Sequence, residues 1–312
     1  MELELHHLIE KKLSSHIEEN RQFYAQRNAA IKNSHPPDLK NVDVLQELRN
    51  LGSKSTLPGR AAFTTARVGK KQVPLRIITP QKADIQGVCL DIHGGGFYMD
   101  SAAKNDLRNA SLSDALGVAV ISVDYRLAPE FPWPAAPDDC ETAALWIMEN
   151  SERMFGSNNL IIRGASAGSN LAMATLLRLR DLQKIDCVKG SVLEFGAYDL
   201  SGRTPGGRLY NHEYFIDLYV GQVGDRGDPD ISPLFGSLSG LPPTLLIVGT
   251  LDILLEDNLA MAARLSVAGN DVDIRVYPES PHGFTFHPTS MAKAATWDIT
   301  TWIRDRLAKS DF

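Results

Sequence analysis

Cysteine is scarce in this chain. Only Cys89, Cys140 and Cys187 occur in 312 residues, far apart, with no Cys-x-x-Cys pair and no Cys/His cluster. That spacing argues against a disulfide framework and gives no ground for a metal centre, so no metal and no cofactor are expected. Cys89 and Cys187 lie inside apolar runs and read as small core residues of a protein kept reduced. There is no basic run either, and the net charge is −6, which argues against a nucleic-acid partner. No apolar stretch approaches the roughly 18 residues of a membrane span. The start, "MELELHHLIEKK", lacks the basic, apolar and small-residue sections of a signal peptide. A cytoplasmic location is the expectation, and a homodimer is compatible with the sequence without being implied by it.

What is present suits a folded enzyme-sized domain. Hydrophobic residues make up 43% and charged residues 22%, enough apolar material for a large core. The first ~50 residues differ from the rest. Leu5, Leu8, Ile9, Leu13 and Ile17 recur at helical spacing, "HPPD" breaks the pattern at 35–38, and Val44, Leu45, Leu48 and Leu51 suggest a second helix. "GSKSTLPGR" (52–60) reads as a linker.

Strand and helix signals then alternate. Strand-like runs fall at 61–68, 73–79, 87–92, 118–125, 160–165, 190–195, 244–249 and 272–277, several of them continuously apolar. Helix-like segments fall at 102–116, 135–150, 167–183, 254–268 and 289–308, the last with Trp297, Ile299, Trp302, Ile303 and Leu307 on roughly one face. This alternation predicts a mostly parallel sheet covered by helices on both faces, with an antiparallel hairpin from the first two runs. Residues 201–230 interrupt the pattern with the aromatic piece "YNHEYFIDLYV". The expectation is that this insertion and the helices of residues 1–52 form a cap over the carboxyl ends of the strands, where open α/β sheets bind ligands. The catalytic domain would then be 53–312.

Two stretches carry chemistry. "IIRGASAGSNLAMATLL" (161–177) places Gly164, Ser166 and Gly168 as G-x-S-x-G after an apolar strand and at a helix start, the context of a nucleophile elbow. A glycine-rich turn with an incidental serine is the plainer reading. A nucleophilic serine needs a base, and the base needs an orienting acid, in the chain order Ser, acid, His for this fold class. His282 lies in the loop after the last strand-like run. His212 falls in the insertion and His287 reads as a polar loop residue. Among Asp252, Glu256 and Asp257, Asp252 stands nearest the end of its strand-like run; it could equally be a helix N-cap. Asp257 lies further into the helix and should point elsewhere.

The second stretch is "DIHGGGFYM" (91–99). Three glycines straight after a buried strand let backbone N–H groups approach a developing oxyanion without side-chain obstruction. HGGG is the lipase/esterase form of that device, and chance would supply it about 0.004 times in a chain of this composition. His93 precedes the serine in the chain and reads as a loop anchor.

"HGGGF", "VDYRLAPEFPWPAAPDD", "GASAGSNLA", "DPDISPLFG", "LSGLPPTLLIVGTLDIL" and "SPHGF" together resemble the hormone-sensitive-lipase-like carboxylesterases, the HGGG branch of the α/β-hydrolase fold. The resemblance runs from about residue 60 onward. It implies Ser166, Asp252 and His282 as catalytic triad, and oxyanion donors from Gly95, Gly96 and Ala167. It implies a small-molecule ester substrate and a structural role for "YRLAPE" (125–130). Two positions depart from the family pattern: Ala165 stands where an acidic residue is usual and Ser169 where a second glycine is usual. The leading expectation is a serine carboxylesterase for short or medium acyl esters working through an acyl-enzyme. An amidase, deacetylase or lactonase could use the same triad, and an inactive ligand receptor is the alternative of another class.

Overall fold

The computed structural model describes residues 11–32, 39, 41–52, 54–55, 57–82 and 84–308. Leu5, Leu8 and Ile9 of the first helical pattern lie outside them. The eight strand-like runs form one sheet of β1 (Ala62–Val68), β2 (Lys71–Ile78), β3 (Gly87–Ile92), β4 (Val118–Val123), β5 (Leu160–Ala165), β6 (Val188–Glu194), β7 (Thr244–Gly249) and β8 (Val272–Tyr277). Their spatial order is β1-β2-β4-β3-β5-β6-β7-β8. β1 and β2 make the expected antiparallel hairpin, β2 joins β4 antiparallel, and the remaining pairs are parallel. Strands β3, β4, β5 and β7 are buried along their whole length, which is why they read as largely apolar runs, broken by a single charge in β3 (Asp91) and in β5 (Arg163).

One face carries α4 (Ala135–Phe155), α5 (Ala167–Asp181) and α8 (Leu255–Val267); the other carries α3 (Asp106–Leu116) and α9 (Ser290–Ala308). In α9, Ile299, Trp302 and Ile303 are buried, but Trp297 is 66% exposed. At about 100° per residue it lies some 200° from Ile299 and so leaves the apolar stripe. Cys89 is buried as expected and Cys140 is buried too, but Cys187, also expected in the core, is only partly covered because it lies just before β6 begins.

The segments outside this sandwich grip the loops at the carboxyl ends of the strands. A 3-10 helix (Lys11–His16) leads into α1 (Ile17–Lys32), and Leu13 and Tyr24 are buried in one cluster with Phe284 and Met291. The buried Asn20 donates its amide to the Glu279 carbonyl (2.6 Å) and to Ser280 Oγ (3.1 Å), just before His282. Tyr24 meets His287 Nδ1 at 2.8 Å, just after it. α2 (Val42–Gly52) holds a different loop: Arg49 Nε donates to the Tyr98 carbonyl (2.7 Å) and its Nη1 pairs with Glu130. The insertion folds into α6 (Pro205–Arg208) and α7 (Tyr214–Val220), and α7 stacks Tyr219 on Phe97 (3.9 Å) and Phe215 on Tyr98 (6.2 Å).

The docking of α1 rests on the buried amide of Asn20 more than on the surface pair Arg21–Glu279. Asn20→Ala strips a buried carbonyl of a donor and should lower the free energy of unfolding by about 1–3 kcal/mol. Arg21→Ala, losing an exposed pair, should leave the urea midpoint where it is. Equal losses in the two variants would contradict this.

Candidate active site

Four loops converge above the sheet centre, one each after β3, β5, β7 and β8. After β5 the chain turns so sharply into α5 that Ser166 takes φ 55° and ψ −121°. No side chain fits beside it: a Cβ on Gly164 would clash with the Gly168 carbonyl, and one on Gly168 with the carbonyl of Ile92. Ser169 straps the turn underneath, its hydroxyl shared between the carbonyls of Gly164 (2.7 Å) and Glu194 (2.9 Å). This departure from the family pattern thus adds hydrogen bonds between α5 and two strands.

The three residues expected as a triad are brought together. Ser166 Oγ lies 2.9 Å from His282 Nε2, and His282 Nδ1 lies 3.1 Å from each carboxylate oxygen of Asp252. Bonding from Nδ1–H to the carboxylate leaves Nε2 free to accept the serine proton. Asp252 is 5% exposed and also accepts from the Leu254 N–H at 2.9 Å, a local turn contact; it does not cap α8, whose N-cap position is Leu254. Phe195, itself at φ 40°, meets the imidazole edge-on at 5.1 Å.

The glycine loop faces the serine. Gly94 packs against the elbow, where a Cβ would crowd the Ala165 carbonyl, and Gly95 needs its φ of 100° to reverse the chain so that Met99 N–H reaches the Gly95 carbonyl (2.9 Å). Among the described residues the N–H groups of Gly95, Gly96 and Ala167 have no protein acceptor, and all three residues line one cavity with Ser166 and His282. His93 anchors this loop: its ring stacks on Tyr125 at 4.1 Å and Nδ1–H donates to the Gly94 carbonyl. The Tyr125 hydroxyl bonds the carbonyls of His93 and Gly94, giving "YRLAPE" the structural role expected of it. The cavity measures about 680 Å³, with Phe195, Phe215, Ile253, Leu254 and Phe286 among its walls.

The other candidates make no bond to the serine, although His287 lines the same cavity. His287 is engaged by Tyr24, and burial together with Arg27 lowers its pKa. Asp257 points into the start of the insertion, where it accepts from the N–H groups of Tyr198 and Asp199 and from the Tyr210 hydroxyl.

The sequence reading missed a line of buried charge below the site. Asp91 on β3, Arg163 on β5 and Glu194 on β6 are all under 5% exposed, and Arg108 of α3 closes the line. Burial pushes the Glu194 carboxyl up, but the guanidinium groups of Arg108 and Arg163 and the Thr285 hydroxyl bring it below the usual range. The signal was available: each of "GVCLDI", "LIIRGA" and "GSVLEF" holds one charge inside an apolar strand, a place where charge survives only if paired.

Comparison with known proteins agrees with this architecture. The family model for the alpha/beta hydrolase fold matches residues 89–286. An ethyl acetate hydrolase of Pseudomonas putida is 31% identical over 226 residues, 68% of this chain and 71% of that protein. An arylesterase of Saccharolobus solfataricus is 32% identical, over 64% and 68% respectively. Among solved structures, an esterase of Pyrobaculum calidifontis superimposes with a TM-score of 0.78 at 28% identity, covering 93% of this chain and 98% of that one. A hormone-sensitive lipase from a metagenome library gives 0.75 at 27%, with the same coverage. The chain belongs to the α/β-hydrolase family. Within it, the chain stands among the hormone-sensitive-lipase-like members that its HGGG and elbow motifs resemble.

Asp257 generates a pH prediction. Burial, with the neighbouring Asp199 charge adding to it, outweighs the three donors and pushes its pKa up to about 6. Between about pH 4 and 6 the folded chain therefore holds a proton that the unfolded chain has released, and this group's contribution to stability falls as pH rises. In Asp257→Asn that slope disappears. Relative to wild type, the variant should gain up to about 3 kcal/mol between pH 4 and pH 7 in urea titrations. A constant difference across that range would contradict the raised pKa.

Proposed function

We propose that this α/β-hydrolase, an ester hydrolase as its relatives are, is a serine carboxylesterase acting on short- to medium-chain acyl esters through an acyl-enzyme. The observation that carries the reading is the unbroken relay Ser166–His282–Asp252 at 2.9 and 3.1 Å. Ser166 Oγ attacks the ester carbonyl carbon while His282 Nε2 takes its proton. The carbonyl oxygen becomes negative and moves toward the N–H groups of Gly95, Gly96 and Ala167. Such donors are worth about 3–4 kcal/mol each because they are already aimed where the charge develops. The intermediate collapses as the imidazolium returns the proton to the leaving alkoxide oxygen. Water, deprotonated by the same imidazole, then attacks the acyl carbon; the acyl–serine bond breaks as the imidazolium returns the proton to Ser166 Oγ, and the acid is freed. Asp252 keeps Nδ1 protonated throughout and balances the imidazolium charge.

The cavity suits a small ester. Its volume of about 680 Å³ lies in the range of small-molecule sites, and its aromatic and aliphatic walls favour an apolar acyl or alcohol group. The helices of residues 1–52 and the insertion at 201–230 act as the cap: Arg27 from α1 and Tyr210, Glu213 and Phe215 from the insertion all line the cavity.

The reading is tested by substitution with p-nitrophenyl esters of increasing acyl length as substrates. Ser166→Ala and His282→Ala should abolish hydrolysis, and Ser166→Ala should also abolish covalent labelling by a fluorophosphonate. Asp252→Asn should lower kcat by about 10²–10⁴-fold in a folded protein, because the amide favours the wrong imidazole tautomer. His287→Ala should retain turnover. Labelling that persists in Ser166→Ala, or a total loss in His287→Ala, would overturn the assignment.

A further inference from the structure

Glu194, the last residue of β6, bonds both the elbow and the His282 loop from below. Its carbonyl accepts from the Ser166 N–H (2.8 Å) and from Ser169 Oγ (2.9 Å), so it holds the elbow. Its carboxylate accepts from Thr285 Oγ1 at 2.6 Å, and Thr285 lies in the short 3-10 turn Phe284–Phe286 just after His282. The next residue, Phe195, backs the imidazole itself. Arg108 and Arg163 already neutralise the carboxylate with bonds of 3.0–3.1 Å. The Thr285 bond is therefore not needed for charge balance; what it adds is a tie to the histidine loop. Glu194 also stands beside Ala165 in the β5–β6 register, next to the position where the acidic residue of related elbows is missing.

We propose that Glu194 is a positioning residue for ester hydrolysis, tying the nucleophile elbow through its carbonyl to the His282 loop through its carboxylate and Thr285. The proposal rests on the triad reading above. It assigns to one residue, by its main chain on one side and its side chain on the other, the spacing of Ser166 Oγ and His282 Nε2, two atoms carried by loops after different strands. A loop loosened by a fraction of an ångström weakens proton transfer more than it displaces Phe286, the wall residue of the same turn, so kcat falls far more than KM changes.

The test uses the full chain with active serines counted by fluorophosphonate titration, so that unfolded protein does not enter the rate. Thr285→Val removes only the hydroxyl. Its kcat per titrated serine should fall about tenfold or more while KM stays within about twofold. Thr285→Ser restores the hydroxyl and should restore kcat. Glu194→Gln, if it folds, should lower kcat at least as far as Thr285→Val. Wild-type kcat per titrated serine in Thr285→Val would overturn the proposal, and so would a Thr285→Ser variant as slow as Thr285→Val. Failure of the wild-type Ser166 to take the probe would instead remove the triad reading on which the proposal rests.

Discussion

Ser166 stands with φ 55° on a turn that only its neighbours make tolerable, and the rest of the site is arranged around that turn. A non-glycine residue in this region carries backbone strain of order 1–3 kcal/mol, which the surroundings must offset. They do so by contact and hydrogen bonding. Gly164 and Gly168 let β5, α5 and the end of β3 approach until a Cβ would clash, and Gly94 does the same from the facing loop. The Ser166 N–H is held by Glu194 and its carbonyl accepts from Ser169 N–H. The serine oxygen is thereby raised to the level where loops from three other strands can meet it. The same close approach puts the glycine-loop N–H groups within the cavity that the serine enters.

Buried charge lies beneath the site. Asp91, Arg163, Glu194 and Arg108 alternate in sign across three strands and a helix. Each ion would cost several kcal/mol to bury alone, and removing one member would strand the others. The network's bonds are directional, and they join β3, β5, β6 and α3 beneath the site. Above the floor, the helices at the start of the chain act on opposite sides. α1 grips both flanks of the His282 loop, through Asn20 on Glu279 and Ser280 and through Tyr24 on His287, whereas α2 grips the glycine loop through Arg49. In the proposed cap, these helices hold the loops in place as well as covering the cavity.

The fold and the grouping of the candidate site residues were legible in the sequence for a common reason. Both depend on residues whose neighbours are close in the chain: largely apolar runs for buried parallel strands, and glycines at fixed offsets for the elbow and the HGGG loop. Asp252 and His282 were legible because each sits immediately past such a run. The supporting groups were not. Asn20 is one polar residue on a weakly amphipathic helix, and its partners lie some 260 positions away. Thr285 looks like any loop threonine until the fold brings Glu194 beneath it. Trp297 was misplaced because an approximate helical face, drawn by spacing alone, tolerates an error of half a turn.

The central claim is that hydrolysis passes through an acyl group on Ser166. It is tested most directly by quenching the enzyme in acid during turnover of p-nitrophenyl acetate and weighing its proteolytic peptides. The account predicts an acetyl increment on the peptide carrying Ser166, with no more than one equivalent per active site. Steady turnover with the acetyl group on another residue would contradict it.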